Sequence, residues 1–275
     1  MGPLGQEISA SAGLRDAVTV VRLGQAGILV AGAGRVVAID PFLSPHPDRL
    51  VPPPVDVADL NLVDLVLVTH EHWDHLDAVT CERLAQVAPR AQFACPEPIL
   101  PQLVGAGVPR TRTYGLRPGR SYRLADVTVW PVAAKHGRHR EDAYAFGEVD
   151  GVPRFLGYVV ELAGIRLFHA GDTVPYEGLE ETVRALGPQI ALLPINGRDW
   201  YRERDDIVGN LDVREAAHLA VGIGAEVLVP LHYDMFPANL ADPGTLVRYV
   251  HDRRLPLHVM VLAVGQPAVL RPVRR

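Results

Sequence analysis

The sequence predicts an α/β fold in one domain, on three observations. The chain opens with runs of β-branched and apolar residues broken by glycines, its middle is mostly strand-like, and its last third alternates helix and strand patterns. At 275 residues, 48% hydrophobic and 21% charged, it is long enough to bury one substantial core, and nothing marks a second. The expected organisation is an N-terminal extension over 1–16 and a single domain over 17–275.

Taken in order, Ala17 to Val30 and Arg35 to Ile39 read as an opening hairpin or meander that ends at Asp40-Pro41. The proline-rich segment Ser44–Val55 reads as a long surface loop, placed either to border a pocket or only to connect strands. Val63 to Val68 is too short for an ordinary helix and reads as a strand buried on both faces, delivering Thr69-His70 at its carboxyl end. Asp77 caps a helix from Ala78 to Ala88, where Val79, Leu84, Val87 and Ala88 recur at helical spacing before Pro89.

Ala91–Ala94 reads as a strand and Glu97–Gly105 as a short helix. Ser121–Leu124, Val127–Ala133, Phe155–Leu162 and Ile165–His169 read as antiparallel strands joined by tight turns. Helices near Gly178–Leu186, over Val213–Val221 and within Gly244–Arg253 then alternate with strands Ile190–Pro194, Glu226–Pro230 and Leu257–Val261.

A formal charge of −5 gives no broad positive field for phosphate backbones, so nucleic acid is disfavoured as a partner. The amino terminus lacks a basic and then apolar leader pattern, and no apolar run approaches the roughly 20 residues that span a bilayer. A soluble, cytoplasmic protein without a membrane partner is expected. Cys81 and Cys95 show no Cys-X-X-Cys spacing and read as buried reduced thiols.

The chemistry concentrates in Thr69-His70-Glu71-His72-Trp73-Asp74-His75-Leu76-Asp77, directly after a buried strand. Imidazole suits zinc and other first-row ions, and a His-rich set without thiolate favours an open catalytic site over a closed structural one. Alternation points His70 and His72 the same way from an extended backbone, and the following turn aims Asp74 and His75 at a neighbouring point. A lone histidine is usually a solvated or core residue. A string of this density is not, because each unpartnered imidazole adds desolvation cost.

Here the sequence resembles the metallo-β-lactamase superfamily, whose metal-binding signature His70–His75 matches without a gap. The resemblance continues at His136, after Pro131-Val132-Ala133-Ala134-Lys135, at Asp172, after Phe168-His169-Ala170-Gly171, and at His232, after Val229-Pro230-Leu231. It implies a four-layer αββα sandwich, two mixed β-sheets flanked by helices. It also implies two divalent metal ions, zinc or manganese, one held by His70, His72 and His136 and the other by Asp74, His75 and His232. Asp172 and a hydroxide would lie between them, with Asp74 orienting the hydroxide and receiving its proton. A redox branch carries glutamate in place of the second motif histidine, so His72 points to hydrolysis. His139 is weighed as a substitute for His136, and His169 as a supporting donor or a core residue.

Within the superfamily the sequence is most similar to L-ascorbate-6-phosphate lactonases, in Lys135–Arg140, Leu193–Asp199, Asp205–Asn210 and His232–Phe236. Lys135, Arg138 and Arg140 beside His136, with Asn196 and Arg198 on another loop, suggest binding of a small anionic substrate such as a sugar phosphate, unless these arginines pair with Glu141, Asp142, Asp199 or Asp205. The expected function is hydrolysis of a lactone or ester. The competing readings are a phosphodiesterase acting on a nucleotide or phospholipid with the same metal pair, and a non-catalytic metal-binding protein. The superfamily resemblance also makes a homo-oligomer plausible.

Overall fold

Strand residues in this chain have two apolar destinations, which is why so many strands lack a polar face. In the short strand Leu65–Leu67, Leu65 and Leu67 enter the core between two sheets, while Val66 packs into a second core outside the first sheet. The computed structural model describes residues 2–271. Met1 and residues 272–275, the outer ends of the expected extension and domain, lie outside the described residues.

The first sheet contains β1 (Val18–Gly24), β2 (Gly27–Gly32), β3 (Arg35–Ile39), β4 (Leu65–Leu67), β5 (Gln92–Pro96) and β6 (Thr113–Leu116). The second contains β7 (Tyr122–Leu124), β8 (Val127–Ala133), β9 (Leu156–Leu162), β10 (Ile165–His169), β11 (Ile190–Pro194), β12 (Val227–Leu231) and β13 (His258–Val259). The chain then returns to the first sheet as β14 (Pro267–Leu270), so the spatial orders are 14-1-2-3-4-5-6 and 13-12-11-10-9-8-7. Each sheet is mixed. β1 to β3 and β7 to β10 run antiparallel, and the parallel ladders begin at β3–β4 and β10–β11.

Helices α1 (Pro3–Ser11), α2 (Ala78–Val87) and α3 (Leu100–Gly105) contribute to the core outside the first sheet. Helices α4 (Leu179–Leu186), α6 (Val213–Gly222) and α7 (Pro243–Asp252) cover the second, while α5 (Trp200–Arg204) is a short, largely exposed segment. The result is the expected αββα sandwich.

β10 and β11 have the boundaries read from sequence, and Asp77 does cap α2, accepting from Thr80 N at 3.2 Å. Four elements were not anticipated, the short α5 among them. Residues 3–11, read as part of an extension, form α1, whose Ile8 is fully buried against the first sheet. β6 pairs with β5, and β14 pairs with β1 from Val18↔Leu270 to Val21↔Pro267. Both are four-residue strands containing Gly or Pro, so their pattern is too short to stand out from a turn.

Cys81 and Cys95 are free and buried, and burial pushes both thiols up from their ordinary range. Among the described residues no helix is long and apolar enough to cross a membrane.

Candidate metal centre

The carboxyl ends of β4, β8, β10 and β12 each lead into one of the loops carrying the predicted site. His70 follows β4, and the chain then turns back through His75 N→His72 O (3.0 Å) and Leu76 N→His72 O (2.7 Å). Asp77 ties this turn to the proline-rich segment by accepting from Leu43 N (3.1 Å) and Ser44 N (2.9 Å). His136 is fixed by reciprocal 3.0 Å backbone bonds with Ala145. Gly171, at φ +60°, sets the turn before Asp172, and its missing Cβ is required because one would meet Leu156 O at 2.8 Å. His232 itself has φ +59° and donates its backbone N–H to Gln25 O at 2.9 Å.

These loops bring all seven expected ligand side chains together. His70, His72, His136 and Asp172 form one group and Asp74, His75 and His232 another, with donor atoms inside each group no more than 4.8 Å apart. Asp172 faces both groups. Its Oδ1 lies 3.4 Å from His75 Nε2, and its Oδ2 lies 3.6 Å from His136 Nε2 and 3.3 Å from His232 Nε2.

The donor chemistry fits metal binding. His72 Nδ1 lies 2.9 Å from His70 Nε2 and 3.3 Å from His136 Nε2, so three ring nitrogens converge where hydrogen bonding alone cannot satisfy all of them. Nitrogens bound at about 2.0–2.1 Å to a tetrahedral ion lie about 3.3 Å apart, comparable to the longer of these spacings. His75 Nε2 and Asp172 Oδ1 are buried without a hydrogen-bond partner. They have only each other, at 3.4 Å, and a bound cation would take up both.

Electrostatics divide the two groups. Burial, reinforced by neighbouring imidazoles, holds His70 well below the ordinary histidine range; it also lowers His72 and takes His136 down to about 3. Burial also acts to lower His75, but the carboxylates of Asp172, Asp40 and Asp74 overcome it and hold this ring well above the usual value. His232 is raised in the same way, by Asp172 and Asp74. Burial favours protonation of Asp172, yet His232 and His75 hold it well below the ordinary carboxylate range.

A metal ligand must be a neutral imidazole, so an ion entering beside His75 and His232 displaces protons, whereas the His70 group is already neutral near pH 7. Raising the pH removes the competing protons, so affinity at the Asp74 group should rise with pH while affinity at the His70 group stays flat. Calorimetric titration of zinc into chelator-treated protein should show heats that depend on the buffer's ionisation enthalpy at pH 7. Buffer-independent heats would contradict the assignment.

Several supporting residues carry no metal signature in sequence. Asp40, fully buried at φ +45°, accepts from His75 Nδ1 (2.7 Å), Thr69 N (2.7 Å) and Thr69 Oγ1 (2.6 Å). Gln25, fully buried at φ +52°, donates Nε2–H to Asp74 Oδ2 at 2.7 Å. The glycines flanking Gln25 and the proline after Asp40 mark turns in the sequence, but not what those turns hold. Buried Arg22 fixes the His232 loop through Tyr233 OH (2.5 Å) and Asp234 Oδ1 (2.6 Å).

A cavity of about 850 Å³ opens over the cluster and is lined by His72, Asp74, His136, Asp172 and His232. His46 and Asp48 also line it, so the proline-rich segment does border a pocket. Of the expected substrate-binding residues, only Arg138 lines it. Lys135 instead sets its ammonium over the rings of Phe146 (5.0 Å) and Tyr176 (5.7 Å). Asn196 is buried and accepts from Asn210 Nδ2 at 3.0 Å. Arg198 is drawn to Glu215 at the start of α6 by two 2.6 Å hydrogen bonds, a partner not among those weighed from sequence. His139 stays at the exposed rim, 2.8 Å from Asp206 Oδ2, and does not join the cluster. His169 is a buried fastener, with Nε2 against Ala26 O (2.9 Å) and Nδ1 accepting from Gly171 N (3.1 Å).

Sandwich and donor set together define a metallo-hydrolase of the β-lactamase type. The profile of the Beta-lactamase superfamily domain matches residues 35–233, a span that includes all seven residues. A UPF0173 metal-dependent hydrolase of Pyrococcus furiosus is 30% identical over 251 residues, 90% of this chain and 98% of that protein. Another from Hyperthermus butylicus is 32% identical over 255 residues, 89% and 96% of the two chains. The solved structure of a metallo hydrolase from Ignicoccus hospitalis superposes with a TM-score of 0.70 at 26% identity, covering 92% of this chain and 98% of that one. The chain belongs to the UPF0173 metal-dependent hydrolase family of the metallo-β-lactamase superfamily.

Proposed function

We propose that the protein hydrolyses a carbonyl ester or lactone at a centre of two divalent ions, zinc or manganese, held by His70, His72, Asp74, His75, His136, Asp172 and His232. The observation that carries this reading is that the donor cluster opens onto the cavity through five of its members, whereas a purely structural metal site is closed around its ion. When bound, such ions supply a Lewis acid for the carbonyl oxygen and lower the pKa of water from 15.7 to about 7.

The chain's own part is positioning and proton transfer. Gln25 holds Asp74 Oδ2, so this carboxylate presents a fixed acceptor to the attacking water and takes its proton. His75 and His232 keep Asp172 ionised. A substrate phosphate lying away from the metal pair would need its own cation, and the mouth offers little: Arg138, among the described residues the one arginine or lysine in the lining, already faces Glu71 at 3.4 Å. This counts against a sugar phosphate as the substrate.

Elemental analysis combined with a screen of lactones, carboxylic esters and bis-p-nitrophenyl phosphate tests the proposal. Chelator-sensitive turnover of a lactone or ester is expected, with the phosphodiester slower. Preference for the phosphodiester would give the reaction to the rival class, and stoichiometric metal without any turnover would favour a binding protein. Arg198→Ala should leave the Michaelis constant for the best ester unchanged. It should cost about 1 kcal/mol of stability through the lost Glu215 pair, read by denaturant unfolding.

A further inference from the structure

Trp73 sits between His72 and Asp74 in the chain and is half exposed, at 52%, on the cavity wall. It is not a loose surface ring. His46 stacks on it with centroids 4.6 Å apart and planes 15° from parallel, and Phe42 and Phe236 meet it edge-on at 5.5 and 5.1 Å. Phe236 also meets His46 edge-on at 5.4 Å. Three aromatic neighbours therefore fix one indole beside the metal cluster and leave part of it open. A large apolar surface held open in a cavity is a binding feature, since an unused one only loses the free energy of burial.

The rest of the lining agrees. Ile207, Val208, Pro237 and Ala238 add further apolar surface. The rim carries carboxylates at Asp48, Glu71, Asp205 and Asp206, against Arg138 and His139. Glu71 is shared between Arg138 and Arg154, and His139 is engaged by Asp206. Among the described residues, the lining thus offers an anionic tail no cation without an acidic partner.

We infer that the non-reacting part of the substrate is an uncharged, flat aryl group that stacks on Trp73, making this the aryl-binding wall of the hydrolase. The inference rests on the carbonyl-hydrolase reading for its reaction but not for its binding geometry. Stacking of two aromatic rings together with the buried area around them corresponds to about a tenfold preference.

The test uses the metal-loaded protein and two arms. In the first, equilibrium dialysis compares 2-naphthol with 2-naphthalenesulfonate, a weak metal ligand of the same shape bearing a fixed negative charge. Naphthol should bind at least about tenfold more tightly, Trp73→Ala should weaken it about tenfold, and Trp73→Phe should recover part of the loss. In the second, the ratio of kcat/KM for 2-naphthyl acetate to that for methyl acetate should fall about tenfold in Trp73→Ala, through KM. Equal or tighter binding of the sulfonate, or naphthol binding within twofold of wild type in Trp73→Ala, overturns the inference. If wild-type protein cleaves neither ester but binds naphthol through Trp73, the aryl wall stands and the carbonyl reading fails.

Discussion

Elemental analysis of an Asp172→Ala protein is expected to find metal lost from both groups of ligands, with turnover reduced by more than the roughly 10–100-fold that follows loss of an outer partner to a metal ligand. The expectation comes from the placement of one carboxylate. Asp172 is the only one of the seven whose oxygens address both groups, Oδ1 at 3.4 Å from His75 and Oδ2 at 3.6 Å from His136. Loss of a ligand such as His72 should damage one group first, whereas loss of Asp172 removes a donor from one and a carboxylate lying 3.4 and 3.3 Å from His75 and His232 of the other. The metal-free protein is affected too, because His75 and His232 depend on this carboxylate for their raised proton affinity. Removing one partner of a buried pair commonly costs about 3–5 kcal/mol. Circular dichroism must therefore show a folded protein before the metal result is read, and Asp172→Asn, which keeps the shape and loses the charge, supplies the control. Full metal content and normal turnover in a folded Asp172→Ala protein would remove Asp172 from the centre.

The ligand set was legible because its elements announce themselves locally. His70–His75 is one contiguous string after an apolar strand, and His136, Asp172 and His232 each follow a strand whose end the sequence marks. β4 shows how far such reading extends: an apolar run with no polar face requires packing on both sides, and the two cores around Leu65–Leu67 supply it. What could not be read is which polar side chains turn toward the cavity. Lys135 neighbours a ligand in sequence yet settles over Phe146 and Tyr176, and Arg198 is taken by a carboxylate 17 residues later, at the start of α6. Those choices depend on partners brought in by tertiary packing, which local pattern does not encode. The supporting residues were hidden for a related reason. Asp40 and Gln25 act from turns at positive φ, conformations costing of order 1–3 kcal/mol that persist only because the surrounding contacts impose them.

Asp40 also gives the sharpest test of how a residue outside the ligand set controls the centre. Its Oδ2 lies 2.7 Å from His75 Nδ1, and a carboxylate can only accept, so in the neutral ring that binds metal Nδ1 keeps the proton and Nε2 turns its lone pair toward the cluster. In Asp40→Asn, Oδ1 can still accept from Thr69 N, which keeps the turn at the end of β4 in place. The amide nitrogen then replaces Oδ2 and presents a donor to a donor. The imidazole relieves that conflict by moving its proton to Nε2, the atom meant to bind metal. Metal affinity at the Asp74, His75 and His232 group should consequently fall about 10–100-fold, while the His70, His72 and His136 group, which Asp40 does not touch, retains its ion. Metal titration monitored by competition with a chromogenic chelator separates the two: one tight site should survive and one should weaken. Equal weakening of both sites would instead mean that Asp40 acts by holding Thr69 and the whole turn, and unchanged binding at both would mean that the tautomer of His75 is set by some other neighbour.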